Sequence, residues 1–66
     1  MIRKREFFRT KEEAERFRNE TRHGALYSNE PHSRTKKDYI AEAALQGASE
    51  IFRAKFPFVV AWNEKE

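Results

Sequence analysis

The chain has 66 residues, enough for one domain, and 38% of them are charged. It holds no Cys, which excludes a disulfide framework and a cysteine zinc site. No apolar stretch is long enough for a signal peptide or a membrane span, so the sequence predicts a soluble, cytoplasmic protein without membrane contact.

The net charge of +3 is unevenly placed. Residues 1–37 hold 11 Lys/Arg against 6 Asp/Glu, and residues 38–66 hold 3 against 5. A basic face and a neutral or acidic one are expected. Aliphatic residues are scarce, but six Phe, two Tyr and one Trp supply large areas to bury. So short a chain exposes much of its surface when folded, and a second copy or a bound partner would add stability.

In chain order, Arg3 to Arg9 reads as a first strand. Phe7 and Phe8 are adjacent, so a strand points them to opposite faces. Their basic neighbours suit an edge position. Thr10-Lys11-Glu12-Glu13 matches a capping box, with the Thr10 oxygen on the Glu13 amide and the Glu13 carboxylate reaching back. The helix it opens carries Ala14, Phe17 and Thr21 on a narrow face, and Glu12 and Arg16 are spaced to pair. Arg22-His23-Gly24 predicts its end, with Gly24 as a left-handed cap. Ala25 to Ser28 is a short second strand, and residues 29–34 are a loop containing Pro31.

Thr35-Lys36-Lys37-Asp38 opens a second helix that runs toward Phe56, where Pro57 stops it. Ile40, Ala44, Gly47 and Ile51 form one stripe, and Ala41, Leu45, Ala48 and Phe52 form its neighbour. Together they predict a wide apolar face lying on a sheet. Gly47 either bends a continuous helix, the reading preferred, or divides it. Phe58 to Trp62 is an unbroken apolar run. Phe58, Val60 and Trp62 share one face while Val59 and Ala61 share the other, which predicts a central strand. Residues 63–66 read as a frayed tail.

The expected fold class is α+β: a single domain of order β-α-β-α-β. It has a three-stranded sheet with the last strand central and two helices packed on one face. The other sheet face would then be open, with Phe7 or Phe8, Tyr27 and Trp62 offering a patch for a protein partner or a second copy. The bland reading of Trp62 is that it fills the core.

Arg3, Lys4, Arg5, Arg9, Arg34, Lys36 and Lys37 are the candidate nucleic-acid contacts, since clustered cations bind phosphate and release counterions. Acids interleaved in the same half weaken any such patch. His23 and His32 are the candidate acid/base pair of a small RNase, but they lack metal-ligand spacing, and a helix end and a loop account for them. Gly47-Ala48-Ser49, with Ala43 before it, resembles the turn of a helix-turn-helix unit. Glu42 and Arg53 depart from that pattern, standing where it buries apolar residues.

No cofactor, metal, catalytic set or small-molecule substrate is indicated. In size and charge the chain resembles the small accessory proteins of bacteria and phages. The leading expectation is a nonenzymatic binding module acting through a protein partner, as a regulator or inhibitor, with self-association included. Nucleic-acid binding through the basic half is the alternative.

Overall fold

The computed structural model describes residues 2–20 and 23–65. Among them the elements run β1 (Ile2–Phe8), α1 (Lys11–Glu20), β2 (Ala25–Ser28), α2 (Lys36–Gln46), α3 (Glu50–Lys55) and β3 (Phe58–Glu64). The strands form one antiparallel sheet of order β1-β3-β2, with the last strand central as expected.

β3 is central because it is apolar on both sides. Phe58, Val59, Val60 and Ala61 are all buried. In register, Phe7 and Tyr27 flank Val59, while Phe8 flanks Phe58 and Leu26 flanks Val60. Cross-strand partners share a face, so the sheet carries two cores. Ala14 and Phe17 of α1 pack on Phe8, Leu26, Phe58, Val60 and Trp62. Tyr39, Ala43 and Ala48 pack on Phe7, Tyr27 and Val59.

This corrects the placement of both helical units on one face. α1 covers one side of the sheet, and α2 with its continuation covers the other. Val59 and Val60 point opposite ways and are both fully buried, which a single covering layer cannot achieve. Among the described residues, Phe8 and Trp62 are thus covered on the α1 side, and Phe7 and Tyr27 on the α2 side.

The second helix is divided, against the preferred reading. Gly47 takes φ +70°, a left-handed cap, and its N–H and that of Ala48 donate to the Ala44 and Ala43 carbonyls. Ser49 then caps α3 by accepting from the Phe52 amide at 3.1 Å. A Gly that ends one helix and a Ser two residues later that starts the next are mutually consistent signals.

The inward face of α2 also differs from the expected stripes. Tyr39, Glu42 and Ala43 are buried, whereas Ile40, Ala41, Ala44 and Leu45 face outward. The Tyr39 hydroxyl donates to the Phe56 carbonyl at 2.6 Å, tying the end of α3 to α2.

Smaller details follow the same logic. Thr10 accepts from the Glu13 amide at 3.2 Å, while the Glu13 carboxylate accepts from the Thr10 hydroxyl. Glu12 and Arg16 pair at 3.5 Å. Thr35 sits at the start of α2, but its hydroxyl oxygen accepts from the Ser28 amide at 2.9 Å, pinning α2 to the end of β2. Gly24 is not a left-handed cap. It is small because a Cβ there would overlap the Ala61 carbonyl oxygen. Thr21 and Arg22 lie outside the described residues. Asn63 and Glu64 are not frayed: they pair with Arg3 and Ile2. Lys65 follows the strand, and Glu66 lies outside the described residues.

Candidate functional site

β1 places Arg3 and Arg5 two residues apart, hence on one face, and that face lies under α2. Arg3 Nη2 donates to Glu42 Oε2 and Arg5 Nε donates to Glu42 Oε1, each at 2.9 Å. Arg5 also reaches Gln46 Oε1 at 3.4 Å. Glu42 is only 7% exposed. Burial pushes its carboxyl pKa up. The hydrogen bonds and charges of Arg3 and Arg5 together outweigh that and hold it below the ordinary value of 4.5. These two cations are therefore structural counter-charges joining α2 to the edge of the sheet.

The other basic candidates lie apart from this pair. Lys4 points to the opposite face, beside Trp62 in register. The Arg9 guanidinium stands 5.5 Å from the centre of the Phe56 ring, a cation–π contact. Arg34, Lys36 and Lys37 cluster at the start of α2, near Ser28. Ser28 is in register with Phe58 and hence with Phe8, at the far end of the strand from Arg3. Five residues of antiparallel strand separate the two ends, about 17 Å. The fold thus divides the seven cations into separate sites. Among the described residues, Lys4, Arg34, Lys36 and Lys37 make no ion pair.

The aromatic candidates are likewise divided. Phe8 and Trp62 pack with Phe17, at 5.1 Å from Phe8 to Phe17 and 5.4 Å from Phe17 to Trp62. Phe7 stacks edge-on with Tyr39 at 5.8 Å and Phe52 at 5.1 Å, and Tyr27 lies in the same cluster. All four are half-buried core residues, and the sheet separates them into two pairs.

His23 and His32 are exposed. His32 lines an open cleft of about 430 Å³ with Lys11, Ser28, Glu30, Ser33 and Thr35. The hydroxyls in it already bond one another and Glu30. Among the described residues, no cluster of three His, Asp or Glu side chains is arranged to hold a metal ion. No helix of the described residues is long and apolar enough to cross a membrane.

The surface that sequence reasoning assigned to the core is the outer face of α2 and α3. Leu45 and Ile51 are each 71% exposed and Ile40 is 41% exposed. Ala41, Ala44 and Ala54 are exposed as well. Ile40 lines an open cleft of about 320 Å³ with Asn29, Glu50, Arg53 and Ala54, and Leu45 and Ile51 lie outside it. Single exposed apolar residues are ordinary; here three large ones fall on two neighbouring helices. A signal for it was present in β1. Arg3 and Arg5 on one strand face need a carboxylate, and Glu42 is the one acid between Asp38 and Glu50. With Tyr39, Glu42 and Ala43 turned inward, Leu45 is left exposed.

No family model, curated protein or solved structure matches this chain.

Proposed function

We propose that the chain is a nonenzymatic binding module that docks a protein partner on the outer face of α2 and α3. The observation that carries this reading is the exposure of Leu45 and Ile51, 71% each, on helices whose inner face is already occupied. The charges near these residues have both signs: Lys37 and Asp38 on α2, Glu50 and Lys55 on α3, all exposed. Such a face suits a protein surface with an apolar centre and a mixed polar rim rather than a uniformly anionic polymer.

The test is affinity capture by the full chain, compared with a Leu45→Glu/Ile51→Glu variant. A protein held by the wild type, released by this variant and retained by Lys36→Glu/Lys37→Glu supports the reading. A partner held equally by the Leu45→Glu/Ile51→Glu variant overturns it. Capture of a second copy alone, lost in that variant, would assign the face to self-association.

A second reading rests on Arg34, Lys36 and Lys37, which carry no ion pair among the described residues. They would contact nucleic acid phosphates. Binding to labelled single-stranded RNA, single-stranded DNA and duplex DNA across a salt series tests it. Affinity should fall steeply with salt and be lost in Lys36→Glu/Lys37→Glu. Absence of binding at low salt removes this reading.

A further inference from the structure

β1 is an outer strand of the sheet, seven residues long. No described residue outside the β1–β3 ladder hydrogen-bonds to its backbone. Its sequence is Ile2-Arg3-Lys4-Arg5-Glu6-Phe7-Phe8. We propose that two copies of the chain join through β1 in an antiparallel, two-fold pair, centred on Arg5, making one continuous six-stranded sheet.

Symmetry restricts the registers. Hydrogen-bonded and non-hydrogen-bonded pairs alternate along an antiparallel ladder, so a two-fold axis must set one residue opposite its own copy. Centring on Arg5 is the register that pairs all seven residues. It sets Lys4 opposite Glu6 of the second copy, Ile2 opposite Phe8, and Arg3 opposite Phe7. Opposite charges meet, apolar residues meet, and a guanidinium meets an aromatic ring. Centring on Lys4 would oppose Lys4 to itself and Arg3 to Arg5. Centring on Glu6 would oppose Glu6 to itself and shorten the ladder.

The full-length register leaves one like-charged pair, Arg5 against Arg5. That is the cation whose Nε lies 2.9 Å from the buried Glu42 and whose Nη1 reaches Gln46, so its charge is already matched within its own chain. Ile2, 41% exposed, would gain the Phe8 ring as a neighbour. A Lys on an outer strand commonly blocks edge pairing. Here Glu6 stands where the symmetric register needs its counter-charge. Lys4 and Glu6 are both exposed, and neither makes an ion pair with a described residue.

Sedimentation velocity of the full chain from micromolar to millimolar concentration tests the proposal. The wild type should dimerise. Lys4→Glu and Glu6→Lys, each alone, should weaken the dimer at least tenfold, because each sets like charges opposite each other twice. An equimolar mixture of the two variants should recover the dimer, since each chain then carries the complement of the other. Amide exchange across residues 2–8 of the wild type should slow as concentration rises, a readout that needs no variant. A wild type that stays monomeric overturns the proposal, as do variants that dimerise unchanged, or a mixture that stays monomeric. The Leu45→Glu/Ile51→Glu variant should dimerise like the wild type. This separates the edge from the α2–α3 face, whose reading stands or falls on its own.

Discussion

At the scale of single residues, Glu42 and Tyr39 decide how α2 lies on the sheet. Removing the Glu42 charge leaves two guanidiniums without their counter-charge, though Arg5 keeps its hydrogen bond to Gln46. Breaking a fully buried pair costs about 3 to 5 kcal/mol, but Arg3 keeps 36% of its side chain in water, so Glu42→Gln should cost about 2 kcal/mol at neutral pH. Urea unfolding of the two proteins measures it. The folded chain holds Glu42 below its ordinary value of 4.5, so on acidification the unfolded chain takes up this proton first. The stabilisation is therefore full above about pH 4.5 and is lost as pH falls through the lower folded value. The stability gap between wild type and Glu42→Gln should close over that acid range and stay constant from pH 5.5 to 8. Tyr39→Phe removes the hydroxyl that donates to the Phe56 carbonyl at 2.6 Å and lies 3.4 Å from that of Arg53. A loss of about 1 kcal/mol is expected, with faster amide exchange concentrated in α3.

At the scale of elements, the two glycines serve different ends, and alanine substitution separates them. Gly47 adopts φ +70°, and a Cβ there meets no atom within 4 Å. Gly47→Ala should cost about 1 kcal/mol, all of it conformational. Gly24 has no positive φ, yet a Cβ would press on the Ala61 carbonyl. Gly24→Ala must push β2 away from β3, and about 2 to 3 kcal/mol is expected. Equilibrium unfolding of both variants checks the ranking; Gly47→Ala proving the costlier would contradict the close approach. The elements around Gly47 depart from the helix-turn-helix pattern in two ways. The second helix has only six residues, and its Phe52 packs on Phe7.

For the whole molecule, a sheet covered on both faces leaves its edges and its helix surfaces to meet other molecules. Leu45 and Ile51 contribute little to the fold, so Leu45→Glu/Ile51→Glu should change unfolding free energy by no more than about 0.5 kcal/mol. A thermal melt checks this, and a large fall would show that these side chains are needed by the core. The core itself is small: Ala14, Tyr39, Ala43, Phe58, Val59, Val60 and Ala61 are its buried hydrophobic residues. Pairing of two copies through β1 would add stability by mass action, so the melting temperature should rise with protein concentration.

The sequence alone determined what depends on short-range physics. The alternation of Phe58 to Trp62, apolar on both sides, placed the last strand at the centre. Thr10 with Glu13 marked the start of α1, and Pro57 marked the end of α3. The opposition of Phe7 and Phe8 followed from strand geometry alone. Tertiary structure decided which side of α2 faces inward. Counting apolar residues favoured the Ile40, Leu45 and Ile51 side. The structure instead buries a carboxylate, because Arg3 and Arg5, 39 and 37 residues away, offset the cost of removing its charge from water. It also decided that the helices take opposite faces, because Val59 and Val60 each need a cover and one layer can supply only one. A helix periodicity shows that a face exists; which face meets the sheet is set by partners distant in the chain.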